Sequence, residues 1–386
     1  MPDPPIAGSP ADRLARLRAM PAAGPVLAAL AGEDRVHVVG GAVRDLLRGD
    51  PRSDLDIVVE SDFAAIAQAL GGEMVEHERF QTANVIIGDL DVDIARARTE
   101  TYARPGALPD VAPATIQEDL ARRDFTVNAM AVPLNGEAEL IDPHGGLDDL
   151  RAGMLRVLHP GSFADDPTRA LRAARYAARL GFTLEPETER QLRAADLRTV
   201  SDDRVIGELG YIAVEDHPSR ALELIADWGL FDLGKAPKLA AALERLFDSA
   251  PVWAEFADRD TALLLAIAPA EHARSLRARA ARLSHHAEPS SPAEIHVLAH
   301  DHSPEVLAIA RAAGARWLDE YAQRLRHVDL EITGYDLIEA GVPEGPAIGL
   351  GLNAALEAKL DGTVRDRDGE LRVALAAAEG AAGRTD

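Results

Sequence analysis

Apolar positions follow two regimes along this chain. Up to about Leu158 they come in short runs, and beyond Phe163 they recur at intervals of three and four. The runs Val36–Val39 and Leu55–Val59 predict strands. So do Val85–Ile87 and Val92–Ile94, joined by a turn at Gly88-Asp89. Ala42–Leu47, opened by Gly40-Gly41, and Phe63–Leu70 predict helices. This alternation predicts a small α/β or α+β domain. Farther on, Pro167–Leu180, Glu187–Ala194 and Asp203–Ala213 predict helices, with capping or proline signals before them. From Pro218 the chain is Ala- and Leu-rich and reads as helical almost to its end, with a break at HHAEPSSPAE, His285 to Glu294. The opening MPDPPIAGSPAD and the tail Glu379 to Asp386 predict loose ends.

Two residues break this pattern. Asp54 and Asp56 stand in and beside an apolar run, and strand alternation points both the same way, with Leu55 opposite. Neighbouring carboxylates repel unless a cation lies between or beside them. Magnesium suits such a pair, since it takes hard oxygen ligands from one or two carboxylates plus phosphates. A solvated strand edge is the plain alternative. Upstream, Gly40 and Gly41 open a helix after a strand, where a phosphate can approach the backbone, and Arg44 lies in the first turn. For the glycine pair alone a tight turn explains as much. Together, a phosphate cradle followed by a carboxylate pair describes a nucleoside triphosphate site with two-metal chemistry.

Composition narrows the class. At 386 residues, 47% hydrophobic, the chain is long enough for two or three domains with a sizeable core. With 0 Cys it has no disulfide, thiolate metal site or Cys nucleophile, which fits a reducing compartment. Neither a basic-then-apolar leader nor a bilayer-length apolar run is present, so a soluble, cytoplasmic protein away from membranes is expected. The net charge of -23 argues against a nonspecific nucleic-acid coat. It hides a local exception: six arginines and two aspartates lie between Arg151 and Leu180. Arg169, Arg172 and Arg175 recur every third residue, with Arg179 a turn later, and form one basic stripe on a helix that starts at Asp166-Pro167, with Asp166 as N-cap. An exposed basic helix explains that stripe equally well.

In order along the chain, five stretches carry a resemblance: GGAVRDLLRG…SDLDIVV, EDLARRDFTVNAMAV (Glu118–Val132), IDPHGGLDDL (Ile141–Leu150), FADDPTRALRAARYAARLGF (Phe163–Phe182) and DDRVIGEL (Asp202–Leu209). Together they resemble the five motifs of the bacterial-type tRNA nucleotidyltransferase and poly(A) polymerase family, the class II CCA-adding enzymes. The resemblance covers about Val36 to Leu209 and does not reach the remainder. It implies an α+β architecture. A polymerase-β-like nucleotidyltransferase head with a small mixed sheet would span 25–158, after a flexible segment 1–24. An all-helical neck would span 159–235, and a helical body and tail that hold tRNA 236–386.

The resemblance also implies roles. Asp54 and Asp56 would bind magnesium ions that bring an RNA 3′-hydroxyl to a nucleotide α-phosphate, with Asp93 (or Asp91 on the same face) as a third carboxylate. Arg123 would bind the nucleotide, while Asn128 either reaches the ribose or is an ordinary buried amide. Gly41, Arg44, Arg172 and Arg175 complete the expected nucleotide site. Asp166 and Arg169 would read the base: a carboxylate accepting from an amino group, beside a guanidinium donating to a ring acceptor, fits cytosine and adenine and opposes uracil and guanine. Asp165 stands where the family commonly has Glu. The polar, Pro/Gly-rich stretch Ala95 to Gln117 resembles, at full length, the flexible loop that switches such pockets from CTP to ATP. The expected reaction is template-independent addition of C, C and A to tRNA from CTP and ATP. Poly(A) synthesis, CC-only or A-only addition, and an inactive RNA-binding protein are the alternatives.

Overall fold

A computed structural model describes residues 8–21, 23–50, 55–77, 81–87 and 90–382. The chain divides into two compact units, Met1–Glu208 with Glu223–Asp232, and Leu209–Leu222 with Leu233–Asp386. Among the described residues no helix is long and apolar enough to cross a membrane.

Two helices, α1 (Pro10–Ala19) and α2 (Ala23–Ala29), open the first unit. Here the expectation of a flexible start needs correction. Ser9 and Asp12 form a capping box on α1, Leu17 is fully buried, and Arg13 Nε donates to the Ala138 carbonyl at 2.8 Å. These ties outweigh the Pro/Gly content that suggested fraying. The sheet strands are β1 (Val36–Val39), β2 (Leu55–Val59), β3 (Glu73–His77), β4 (Thr82–Ile87) and β5 (Leu90–Arg96), with α3 (Gly40–Arg48) and α4 (Phe63–Leu70) between them. The predicted turn Gly88-Asp89 lies outside the described residues, as does Asp54. Next come β6 (Arg98–Thr101), β7 (Asp110–Pro113), α5 (Ile116–Ala121) and β8 (Ala131–Pro133). The main sheet runs β3-β4-β5-β2-β1-β8 and is mixed, since β2 and β5 are parallel while the other pairs are antiparallel.

Core packing sets the site. Val38, Val39, Leu55, Ile57 and Val59 are almost fully buried, so β1 and β2 lie at the centre of the sheet. Asp56 is the one residue of β2 that is not buried. Ile116 and Leu120 of α5 pack on Val39, Val58 and Ala131, and each such buried side chain contributes about 1.5–3 kcal/mol. That packing fixes α5, and with it Asp119 and the arginines that follow.

The stretch 95–117 is not one long irregular connection. Its two ends form an antiparallel ribbon, β6 on β7, from Arg98↔Pro113 to Thr101↔Asp110. The short strands are mostly half-exposed, so they carry no apolar run, and the Pro/Gly density that suggested a loop marks the ribbon's tip.

Beyond β8 come α6 (Gly146–Ala152), β9 (Met154–Leu155), α7 (Ser162–Asp165), α8 (Arg169–Leu180), β10 (Thr183–Leu184), α9 (Pro186–Leu192) and α10 (Asp202–Ala213). The helix predicted from Pro167 starts two residues later. Arg169 and Ala170 bond back three residues, to Asp166 and Pro167, so the entry turn is tighter than an α-helix. Asp166 is accordingly not the N-cap of α8, a place taken by Thr168.

The second unit is helical. Its last two helices, Pro346–Leu360 and Arg367–Ala382, pack closely because Gly351 faces the Ala374 carbonyl, where a Cβ would come within 2.6 Å. The final helix runs to Ala382, past the predicted loose point at Glu379, because Ala374 and Ala378 are buried in that pairing.

Candidate active site

A cavity of about 550 Å3 opens in the first unit, within the range of roughly 300–1,000 Å3 usual for small-molecule sites. Gly41, Arg44, Asp56, Arg123, Asp166, Arg169, Arg172 and Arg175 all line it. Residues up to 125 positions apart in sequence, Gly41 and Asp166, are thus brought to one chamber. Seven arginines and five carboxylates line the chamber, a charge balance suited to a polyphosphate.

Its floor is built at the β1–α3 junction. Gly40 has φ +68°, and a Cβ there would sit 2.6 Å from Arg123 Nη1 and 3.7 Å from Asp56 Oδ2. Only glycine lets that arginine and that carboxylate converge on the start of α3. Asp56 lies opposite Asp93 in the parallel β2–β5 register, which selects Asp93 over Asp91 as its neighbour. Asn84 Nδ2 donates to Asp93 Oδ1 at 3.1 Å, and Asp56, Asp93 and Arg123 share a smaller adjoining cavity. Among the described residues no group of three or more His, Cys, Asp or Glu side chains forms a metal-holding cluster. Asp56 and Asp93 nevertheless fit a hard divalent cation in donor type and in adjacency, with Asp54 next along the chain.

Arg44 is only 2% exposed. Its Nε and Nη2 donate to Asp45 and its Nη1 to Asn128 Oδ1 at 2.7 Å. The pair with Asp45 raises its pKa against the opposing effect of burial. Arg44 therefore forms the chamber wall, with these donors engaged, rather than a free phosphate hook. Asn128 matches the buried-amide reading: it also donates to Asp124 Oδ1 at 2.9 Å.

After α5, Asp119 is fully buried and organises both arginines. Arg122 donates to its Oδ1 at 2.7 Å and Arg123 to its Oδ2 at 3.0 Å. Burial would raise the Asp119 pKa, but the Arg123 and Arg122 charges hold it below the usual range. Arg122 Nη1 also donates to Glu100 Oε1 at 2.8 Å, and the Tyr102 hydroxyl donates to Glu100 Oε2 at the same distance. The ribbon is thereby tied to the chamber.

The arginine stripe of α8 faces this chamber, not solvent. Arg172 donates to Asp124, Tyr176 and Glu208. The Arg175 guanidinium lies 4.6 Å from the Tyr176 ring centroid, and Arg179 Nη2 reaches Asp45 Oδ2 at 3.3 Å. Burial would raise the Asp124 pKa, yet the Arg172 charge, the Asn128 hydrogen bond and Arg169 lower it to about 2. Glu208 is pushed upward by burial despite Arg172.

At the rim, Arg169 Nη1 donates to Ser162 Oγ at 2.6 Å and Nη2 to the Arg122 carbonyl at 2.7 Å. Asp166 Oδ1 accepts from Thr168 N at 3.0 Å, from Thr168 Oγ1 at 2.6 Å and from Arg204 Nη2 at 2.8 Å. Sequence reasoning missed Asp45, Glu100, Tyr102, Asp119, Asp124, Tyr176 and Arg204. Asp124 and Arg204 stand inside motifs already singled out, which was the available signal. Glu100 and Tyr102 gave none, because they belong to a ribbon read as loop.

Residues 36–156 match the family model of the poly A polymerase head domain, and 181–243 match that of a probable RNA and SrmB-binding site of polymerase A. The chain is 33% identical to an A-adding tRNA nucleotidyltransferase of Geobacter sulfurreducens over 90% of its own length and 45% of that protein's. It is 34% identical to a CC-adding tRNA nucleotidyltransferase of Deinococcus radiodurans over 91% of each chain. It thus spans less than half of the first relative and nearly all of the second. Among solved structures, an apo form of a CCA-adding enzyme superposes with a TM-score of 0.78 at 30% identity, over 96% of this chain and 99% of that one.

Proposed function

Because this chain belongs to the bacterial-type tRNA nucleotidyltransferase and poly(A) polymerase family, we propose that it adds CCA to the 3′ end of tRNA from CTP and ATP without a nucleic-acid template. Enzymes of this family generally use divalent metals. The observation that carries the reading is the single chamber in which Asp56, Arg123 and the Asp166/Arg169 pair meet.

In this reading the RNA 3′-hydroxyl attacks the nucleotide α-phosphate and pyrophosphate leaves. Asp54, Asp56 and Asp93 would hold magnesium, which when bound lowers the pKa of the attacking hydroxyl and neutralises the leaving pyrophosphate. Arg123, beside the glycine-opened turn, and Arg172 and Arg175, on the facing wall, orient the triphosphate. Asp45, Asp119 and Asp124 keep the arginines in place before substrate arrives, so little reorganisation is needed.

Base choice falls to Asp166 and Arg169. Each Nη of Arg169 carries two hydrogens and each has one protein acceptor, so one hydrogen from each remains for the ring acceptor of cytosine or adenine. The full-length ribbon supports A addition after the two C additions. A second reading, A-only addition, is favoured by the likeness to an A-adding relative. Incubating the protein with tRNAs lacking CCA, CA or A, and with labelled CTP or ATP, separates the two. Growth of the first substrate by three nucleotides supports CCA addition. Labelling only of the tRNA that ends in CC, and only by ATP, would establish the second reading.

A further inference from the structure

The second unit carries a basic face that the site described above does not use. Between Glu271 and Glu288 the sequence holds Arg274, Arg277, Arg279 and Arg282 with His272, His285 and His286, and no acid, in a chain of net charge -23. These arginines lie on the helix Ala270–His285, which buries Ala273, Ala280 and Leu283 on the opposite face. Helical geometry sets Arg274, Arg282 and His285 along the middle of the exposed side and Arg279 on its flank. Arg274 and Arg282 stand about 12 Å apart along the axis.

The state of these side chains is unusual for this unit. Arg259, Arg311, Arg324 and Arg367 each have a carboxylate partner. Arg274, Arg279 and Arg282 are exposed, and among the described residues none has a hydrogen bond or a carboxylate partner. Arg277 is the exception on this helix, donating to the Ala266 carbonyl. The uncompensated charge is felt nearby: burial, and next Arg279, push the His302 imidazole below its usual pKa. Gathering unpaired cations on one face is unfavourable in isolation and becomes favourable against a polyanion.

We propose that Arg274, Arg279 and Arg282 form a phosphate-binding face for the backbone of the tRNA substrate, an inference that rests on the tRNA reading above. The face lies outside both segments matched by family models, 36–156 and 181–243. Its residues supply affinity without reading sequence, because they present point charges and no base-sized pocket.

The test uses the full chain and a variant carrying Arg274→Ala, Arg279→Ala and Arg282→Ala. Binding of tRNA lacking CCA is measured by fluorescence anisotropy between roughly 50 and 200 mM salt, where phosphate contacts dominate the salt dependence. The triple variant is expected to bind more than tenfold more weakly at the low-salt end. Its slope of log affinity against log salt should be shallower by about 0.7–0.9 per lost contact, or about 2 in all. Binding of ATP and CTP without tRNA should not change. A triple Arg→Lys variant should keep most of the slope, because lysine still serves as a point charge, and this controls for misfolding. Equal slopes and affinities in parent and alanine variant would overturn the proposal while leaving the tRNA reading intact. A parent that binds nucleotides but not tRNA would overturn both. Phosphatidylserine vesicles bound through these arginines, with tRNA binding unaffected, would make the face a membrane contact and overturn the proposal.

Discussion

Arg172 donates both Nε, at 2.9 Å, and Nη2, at 2.8 Å, to the same Oδ2 of the buried Asp124, joining α8 to the segment after α5. Replacing Asp124 by Asn removes the charge that balances Arg172. Breaking a buried pair from one side costs about 3–5 kcal/mol. We expect Asp124→Asn to lower the urea midpoint by a matching amount, and an unchanged midpoint would show that the pair holds no stability.

The same carboxylate predicts an acid limb. Its pKa falls from 3.8 to about 2 on folding. A depressed carboxylate adds stability above its unfolded value, and that contribution is lost as pH falls from about 4 towards 2. By linkage the loss is on the order of 2 kcal/mol. Parent stability should drop through this window by that much more than stability of Asp124→Asn. Parallel acid limbs in the two proteins would refute the assignment.

Asp56 and Asp93 sit in register on parallel strands, and like charges there repel. Asp56→Ala is therefore expected to abolish labelled nucleotide incorporation with Tm unchanged or slightly raised. The same outcome is expected for Asp54→Ala, whose position lies outside the described residues. Near-normal incorporation with magnesium by either variant would end the metal-ligand reading. A collapse in Tm would point to a structural role.

Gly40→Ala tests the floor of the chamber. A Cβ would meet Arg123 Nη1 at 2.6 Å, at a φ of +68° that side chains rarely adopt. Strain of this kind costs about 1–3 kcal/mol. Weaker ATP and CTP binding is expected by calorimetry, as Arg123 is displaced. Unaltered nucleotide affinity would separate Arg123 from the site.

Base selection should depend on Asp166. Asp166→Asn keeps an acceptor for Thr168 but can present a donor to the base. Relative use of UTP or GTP should rise by roughly ten- to a hundredfold, equivalent to about 1–3 kcal/mol for one mismatched pairing. Selection for CTP and ATP as strict as in the parent would leave Asp166 with only its contacts to Thr168 and Arg204.

The ribbon's tip carries the last prediction. Glu100 and Tyr102 tie the ribbon into Arg122, so a deletion confined to Ala103–Leu108 spares those contacts. CTP incorporation should persist and the final AMP should be lost. Equal loss of both would assign the tip to the shared step or to the fold.

The strands Val36–Val39 and Leu55–Val59 and the helix Phe63–Leu70 were legible from local pattern, because each buries a continuous or periodic apolar set that no distant residue has to complete. The residue types and order of the motifs likewise pointed to Asp56, Arg123, Asp166 and Arg169 before any coordinates. What local pattern could not assign was the partner of each charge. The stripe Arg169, Arg172, Arg175 has the same periodicity whether it faces water or a cavity. Asp124, 48 residues before Arg172, and Glu208, 36 after it, decide that it faces the cavity. Arg44 likewise reads as a phosphate hook until Asn128, 84 residues away, is seen to take one of its donors. Ion pairs between residues far apart in sequence leave no periodicity, since they depend on which surfaces the sheet and helices bring within about 3 Å. Element type and candidate chemistry were therefore set along the chain, whereas which arginines remain available to a ligand was decided by tertiary packing alone.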